Sequence, residues 1–167
     1  MQHAQTSPLR LLLACSKASE LTIRFTIHNV SATPTAAVIG TILGNDKKYL
    51  PAHLKLTVRR AGVPDVTLTY IDTTVAFVAG RLDPWLIALP PDASYSVAVP
   101  AHNFGLAPLL TKEPFSAPAD LQLRLATREV DRTSTSSDMQ GLSLIHVWVG
   151  TLASDWIRFP SDCHPDK

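Results

Sequence analysis

Strict alternation of apolar and polar residues runs through Leu21-Thr22-Ile23-Arg24-Phe25-Thr26-Ile27-His28 and places Leu21, Ile23, Phe25 and Ile27 on one side. A period of two belongs to an extended chain with one dry face and one wet face, so the segment predicts a half-buried β-strand. The pattern returns through Leu54, Leu56 and Val58, with Lys55, Thr57 and Arg59 outward, and again through Tyr95, Val97 and Val99 and through Leu121, Leu123 and Leu125. Shorter β-favouring runs over residues 9–15, 66–70, 75–78 and 156–159 bring the expected total to about eight strands. Leu142–Val149 is apolar on both sides: Leu142, Leu144, His146 and Trp148 share one face, and Ile145, Val147 and Val149 the other. That predicts a central strand covered on both faces, or one lining a cavity.

The connectors carry turn chemistry at Ser31-Ala32-Thr33-Pro34, Gly44-Asn45-Asp46, Ala61-Gly62-Val63-Pro64 and Pro90-Pro91-Asp92. Thirteen prolines spread along the chain leave little room for long helices, and a short helical turn is allowed for only near residues 83–87. Without any βαβ alternation, the expected fold is an all-β, antiparallel, immunoglobulin-like β-sandwich. One domain is expected over residues 1–167, with flexible ends near 1–8 and 161–167. Residues 100–118, with four prolines, read as a long ordered connection, and Thr133–Asp138 as a polar tip.

From about Leu21 to Phe104 the order of features resembles the N-terminal propeptide domain of fungal deuterolysin-type zinc metalloproteases and related stand-alone proteins. The resemblance is carried by the alternating strand ending in Asn29-Val30-Ser31, by Phe77-Val78-Ala79-Gly80, and by Leu89-Pro90-Pro91-Asp92-Ala93-Ser94 leading into Tyr95–Val99. It implies a β-sandwich able to cover or chaperone another protein. It does not imply peptidase activity, because the sequence contains no His-Glu-x-x-His motif.

Composition narrows the classes further. A hydrophobic share of 46% against 17% charged residues suits a folded globule. A formal net charge of +1 argues against a nucleic-acid binder, which needs a dense basic face. The charge is uneven, with eight basic and two acidic residues among the first sixty, and strands from the two halves are expected to interleave and mix it. No apolar stretch is long enough for a membrane-spanning helix, and the run Leu11–Cys15 after Arg10 is too short for a signal core, so it reads as the first strand. Cys15 and Cys163 are therefore expected to be free thiols in a reducing, cytoplasmic setting, and the sequon Asn29-Val30-Ser31 to carry no sugar.

Chemistry-bearing residues are sparse. The six histidines show no chelating spacing, and phosphate loops, nucleophile elbows and Cys-x-x-Cys pairs are missing from the sequence, so neither a metal nor a cofactor is expected. His146, on one face with Trp148, has the type and setting of a general acid or base beside a stacking wall. The plainer reading, which its surroundings favour, is a core or cross-strand histidine held by one hydrogen bond. Asp83-Pro84-Trp85 and His102-Asn103-Phe104 offer a second mixed polar and aromatic set, with Asp83, Trp85 and His102 as ligand contacts beside Trp148. The leading expectation is a binding or interaction module for a protein partner or small organic ligand. The rivals are a cofactor-independent cyclase or isomerase using His146, and a sugar binder stacking on Trp85 or Tyr49.

Overall fold

The alternating segment from Leu21 forms β2 (Leu21–Asn29), whose Ile23, Phe25 and Ile27 are fully buried while Arg24 points outward. It occupies the middle of a sheet built from β1 (Leu9–Lys17), β2, β8 (Ser94–Pro100) and β13 (Cys163–His164), in the order β13-β1-β2-β8. Antiparallel pairing sets Leu11 opposite Ile27, Leu13 opposite Phe25 and Cys15 opposite Ile23, so both strands turn their apolar sets to one side. These elements belong to a computed structural model that describes residues 7–17, 21–43, 48–50, 54–72, 82–105, 118–127 and 146–164.

A second sheet is centred on β3 (Thr35–Leu43), flanked by β7 (Leu82–Leu89) along one edge and by the short β4 (Lys48–Tyr49) and β10 (His146–Val147) along the other. Residues 41 and 42 of β3 pair with both β4 and β7, which fixes those two on opposite edges. The third sheet joins β11 (Thr151–Ala153), β9 (Ala119–Ala126), β5 (Leu54–Arg60) and β6 (Val63–Thr69) in that order, with β12 (Ile157–Phe159) also on β9. Leu54, Leu56 and Val58 of β5 and Leu121, Leu123 and Leu125 of β9 interleave across this pair. All three sheets contribute to one hydrophobic core.

The protein is all-β and mostly antiparallel, with thirteen strand segments among the described residues, several of two or three residues. Two short parallel pairings, β1 with β13 and β3 with β10, depart from the expected antiparallel scheme. The helical turn allowed for near Asp83–Ile87 is instead strand β7. Pro84 fits there because β7 has only β3 as a partner among the described residues, leaving the proline's missing N–H without a ladder to disrupt. β3 itself gave no alternating signal, since Thr35 through Gly40 are buried without interruption and a bulge shifts the register between Val38 and Gly40. The expected strand over 75–78 and the polar tip over 133–138 lie outside the described residues.

The cysteines overturn an expectation. Cys15 and Cys163 are register partners in the β1–β13 pair, with Cα atoms 4.6 Å apart, and they form a disulfide. Residues 161–164 are accordingly a turn and a paired strand, not part of a loose end. Proximity created by pairing the first and last strands is invisible in a sequence where the two residues stand 148 apart.

Asn29 closes β2 and organises the turns around it. Fully buried, it donates through Nδ2 to the carbonyls of Thr33, Leu89 and Pro90 at 2.9, 2.9 and 3.1 Å. Its Oδ1 accepts from the N–H and the hydroxyl of Ser31. Beside it, the Ala93 N–H returns to the Pro90 carbonyl across Pro91 and Asp92, and Asp92 has φ +61°. Proline at the second position and a positive φ at the third define a type II turn.

Candidate functional site

An open cleft of about 370 Å³ lies where the three sheets meet, lined by residues of β4, β7 and β8 and of the segments that follow β4, β6 and β8. Pro100 ends β8 and starts a single 3-10 turn, Ala101–Phe104, which Gly105 closes in the left-handed conformation with its N–H on the His102 carbonyl. The chain leaving β6 runs beside this turn. The Ile71 N–H donates to the Asn103 carbonyl at 2.8 Å, and Tyr70 packs edge-on against Phe104 with ring centroids 5.2 Å apart.

Trp85 of β7 is nearly buried in the wall, its ring edge-to-face with Tyr95 at 6.3 Å. The Lys48 ammonium sits 5.1 Å from the Trp85 ring and donates to the Tyr95 hydroxyl at 3.3 Å. This cation–π contact covers the indole, which leaves no open platform for stacking a sugar on Trp85. Asp72 Oδ2 accepts from the Leu50 N–H at 3.4 Å. The Asn103 Nδ2 donates to the Tyr70 hydroxyl at 3.0 Å, while its Oδ1 is buried with no hydrogen-bond partner. Turning the amide would only exchange the two atoms, so one polar atom of Asn103 stays unmet in either orientation. Leu50, Val97, Val99 and Pro100 supply apolar lining.

Of the residues singled out in the sequence, Trp85 and His102 line this cleft, with His102 exposed at its rim. Asp83 stands two residues before Trp85 on β7, opposite Ile42, and is not part of the lining. Trp148 serves elsewhere: its N–H donates to the Ala36 carbonyl at 2.8 Å and its ring lies over Gly150, where a Cβ would come within 2.7 Å of it. The backbone of His146 pairs with Thr35 in β10, and its side chain lies outside what the structure describes, as does that of Tyr49. Lys48, Tyr70 and Asp72 were not legible as site residues, because no spacing links them and only the meeting of three sheets assembles them. Asn103, between His102 and Phe104, carries no sequence signal of its own.

A hydroxyl, an imidazole and a carboxylate also meet on the surface, where Ser94 Oγ and His28 Nδ1 are 3.2 Å apart and His28 Nε2 and Asp92 Oδ1 3.1 Å. Ser94 and His28 are direct cross-strand partners, and Asp92 is almost wholly exposed, which makes this an open surface pairing that steadies the type II turn.

No protein-family model and no curated protein matches the chain. Among solved structures, a protein from Archaeoglobus fulgidus is similar at 11% identity over 92% of this chain and 94% of that one, with a TM-score of 0.34. The functional reading therefore rests on the cleft. No helix of the described residues is long and apolar enough to cross a membrane.

Proposed function

We propose that this all-β domain is a binding module whose cleft takes a small polar organic molecule. The observation that carries the reading is the convergence of Lys48, Tyr70, Asp72, His102 and Asn103 on one open cleft of about 370 Å³. That volume lies in the range of small-molecule sites, and the cleft's wall, as polar as it is apolar, offers placed polar groups of the kind such sites use for orientation. A partner protein, the other occupant expected from the sequence, would need exposed apolar surface; Val63 and Val66 of β6 offer some, but they are separated by Pro64 and Asp65, which discourage edge pairing. The disulfide favours an oxidising compartment over the cytoplasm.

A thermal-shift screen of polar, metabolite-sized compounds tests the proposal, with Ala98→Trp as the control. Ala98 lines the cleft with an exposed side chain, so the larger residue obstructs the cleft and leaves the core intact. Compounds that stabilise the unsubstituted protein should lose that effect in the variant. Equal stabilisation of both proteins would place binding elsewhere and refute the reading.

A further inference from the structure

The cleft runs along one edge of a sheet. Its lining takes four consecutive residues of β8, Val97 to Pro100, and none of β2. Successive side chains of a strand alternate between its faces, so a pocket on one face would take every second residue; this one lies against the side of β8 turned away from β2. Among the described residues no strand pairs with β8 on that side.

The phase of the β2–β8 ladder decides which backbone groups face the cleft. The Asn29 N–H donates to the Ala93 carbonyl at 2.9 Å, which makes that pair a hydrogen-bonded one. Opposed residues alternate in kind, so Tyr95, Val97 and Val99 bond to Ile27, Phe25 and Ile23, while Ser96, Ala98 and Pro100 turn outward. Side chains approach most closely at the non-bonded pairs, and Thr26 Oγ1 and Ser96 Oγ are indeed 2.7 Å apart. Pro100, without an N–H, stands where the ladder needs none. Ser96 and Ala98 are both exposed, and the N–H and C=O that each turns outward have no partner among the described residues.

Donor–acceptor pairs that recur every second residue, about 7 Å apart, match the repeat of another extended chain. Resting on the reading of this cleft as the binding site, we infer that its ligand is a short peptide in extended form, added to β8 as a further strand. Main-chain bonds to Ser96 and Ala98 hold it, and alternate side chains turn toward the apolar Leu50, Val97 and Val99. Pro100 and the 3-10 turn that it caps end the edge, which limits the added strand to a few residues.

Amide hydrogen exchange and titration of the full chain with acetyl-Xaa-Thr-Xaa-Thr-amide peptides, Xaa being Val, Leu, Phe or Lys, test this. In the free protein the Ser96 and Ala98 amides should exchange fast and those of Val97 and Val99 slowly; at least one peptide should slow Ser96 and Ala98. For the tightest peptide, N-methylation of both Xaa residues or of both Thr residues should differ in effect. One should weaken binding at least about tenfold and the other less than about threefold, because only one alternate set faces β8. Ala98→Pro removes an outward N–H and no bond to β2, and should also weaken binding at least about tenfold with unchanged circular dichroism. If that variant does not fold, the methylated pair decides alone. Slow exchange at Ser96 and Ala98 in the free protein, binding of no peptide in the set, or equal effects of the two methylations overturns strand addition. The cleft reading stands or falls separately, on whether compounds found in the wider screen depend on an unobstructed Ala98 rim.

Discussion

Asn29 shows how much one residue can hold. Its amide answers three carbonyls and accepts twice from Ser31, and every atom it uses is removed from solvent. The same residue heads the sequon Asn29-Val30-Ser31, and in the folded protein the nitrogen that would carry a sugar is buried and engaged. Substitution by aspartate changes almost nothing in shape but puts an oxygen where three carbonyl oxygens already converge. Asn29→Asp is expected to cost about 3–5 kcal/mol, as a buried group left facing acceptors. Urea denaturation at neutral pH measures it, and a loss under about 1 kcal/mol would show that the turn does not depend on this amide. Such a requirement cannot be read from the sequence, where Asn29-Val30-Ser31 marks only a turn after a strand.

At the scale of elements, legibility followed exposure. β2, β5, β8 and β9 announced themselves because each has one wet face, and the structure places all four as expected. β3 was missed because burial on both sides erases alternation, and β7 was misjudged because Pro84 is an edge-strand proline. The cleft was half legible for a related reason: Trp85 and His102 stand out as residue types, whereas Lys48, Tyr70 and Asp72 matter only through the elements that bring them together.

The β5–β6 pair supplies a prediction at this scale. Arg59 Nε and Nη2 donate to Asp65 across the pair, at 3.2 and 2.9 Å, and the guanidinium also lies 4.0 Å from the Trp156 ring. The hydrogen bonds from Arg59 hold the Asp65 carboxyl below its ordinary range and raise Arg59 in turn. A depressed carboxyl pKa adds stability that is present above the unfolded value near 4 and is lost as pH falls through the folded one. The stability gap between the unsubstituted protein and Asp65→Asn should therefore be open at neutral pH, close in acid below the usual carboxylate range, and narrow with added salt, because both groups are solvent-exposed. A gap that persists unchanged into strong acid would assign the effect of the substitution to something other than this ion pair.

For the whole molecule, the disulfide matters most. The strands of the two halves interleave, and Arg10 of the basic first part reaches Asp155 of the acidic remainder at 2.8 Å. The link between Cys15 and Cys163 then closes nearly the whole chain into one loop. In the chain-entropy account, a loop of that length limits the unfolded state enough to be worth about 5 kcal/mol, with smaller values common in practice. Double substitution of both cysteines by serine should lower stability by about 2–5 kcal/mol and leave the far-ultraviolet circular dichroism unchanged. Equal denaturant midpoints for the two proteins would mean that the bridge adds nothing to the fold.

The same covalent closure has a mechanical meaning. A pull applied to the chain outside Cys15 and Cys163 passes directly from β1 to β13 through the sulfur bridge and bypasses the 148-residue separation between them. The part of β1 before Cys15 still loads its pairing with β2, but the chain between the two cysteines is bypassed, and roughly 500 Å of contour length stays locked until the bridge is reduced. A cleft that must keep its shape in a chain under tension is thereby insulated from that tension.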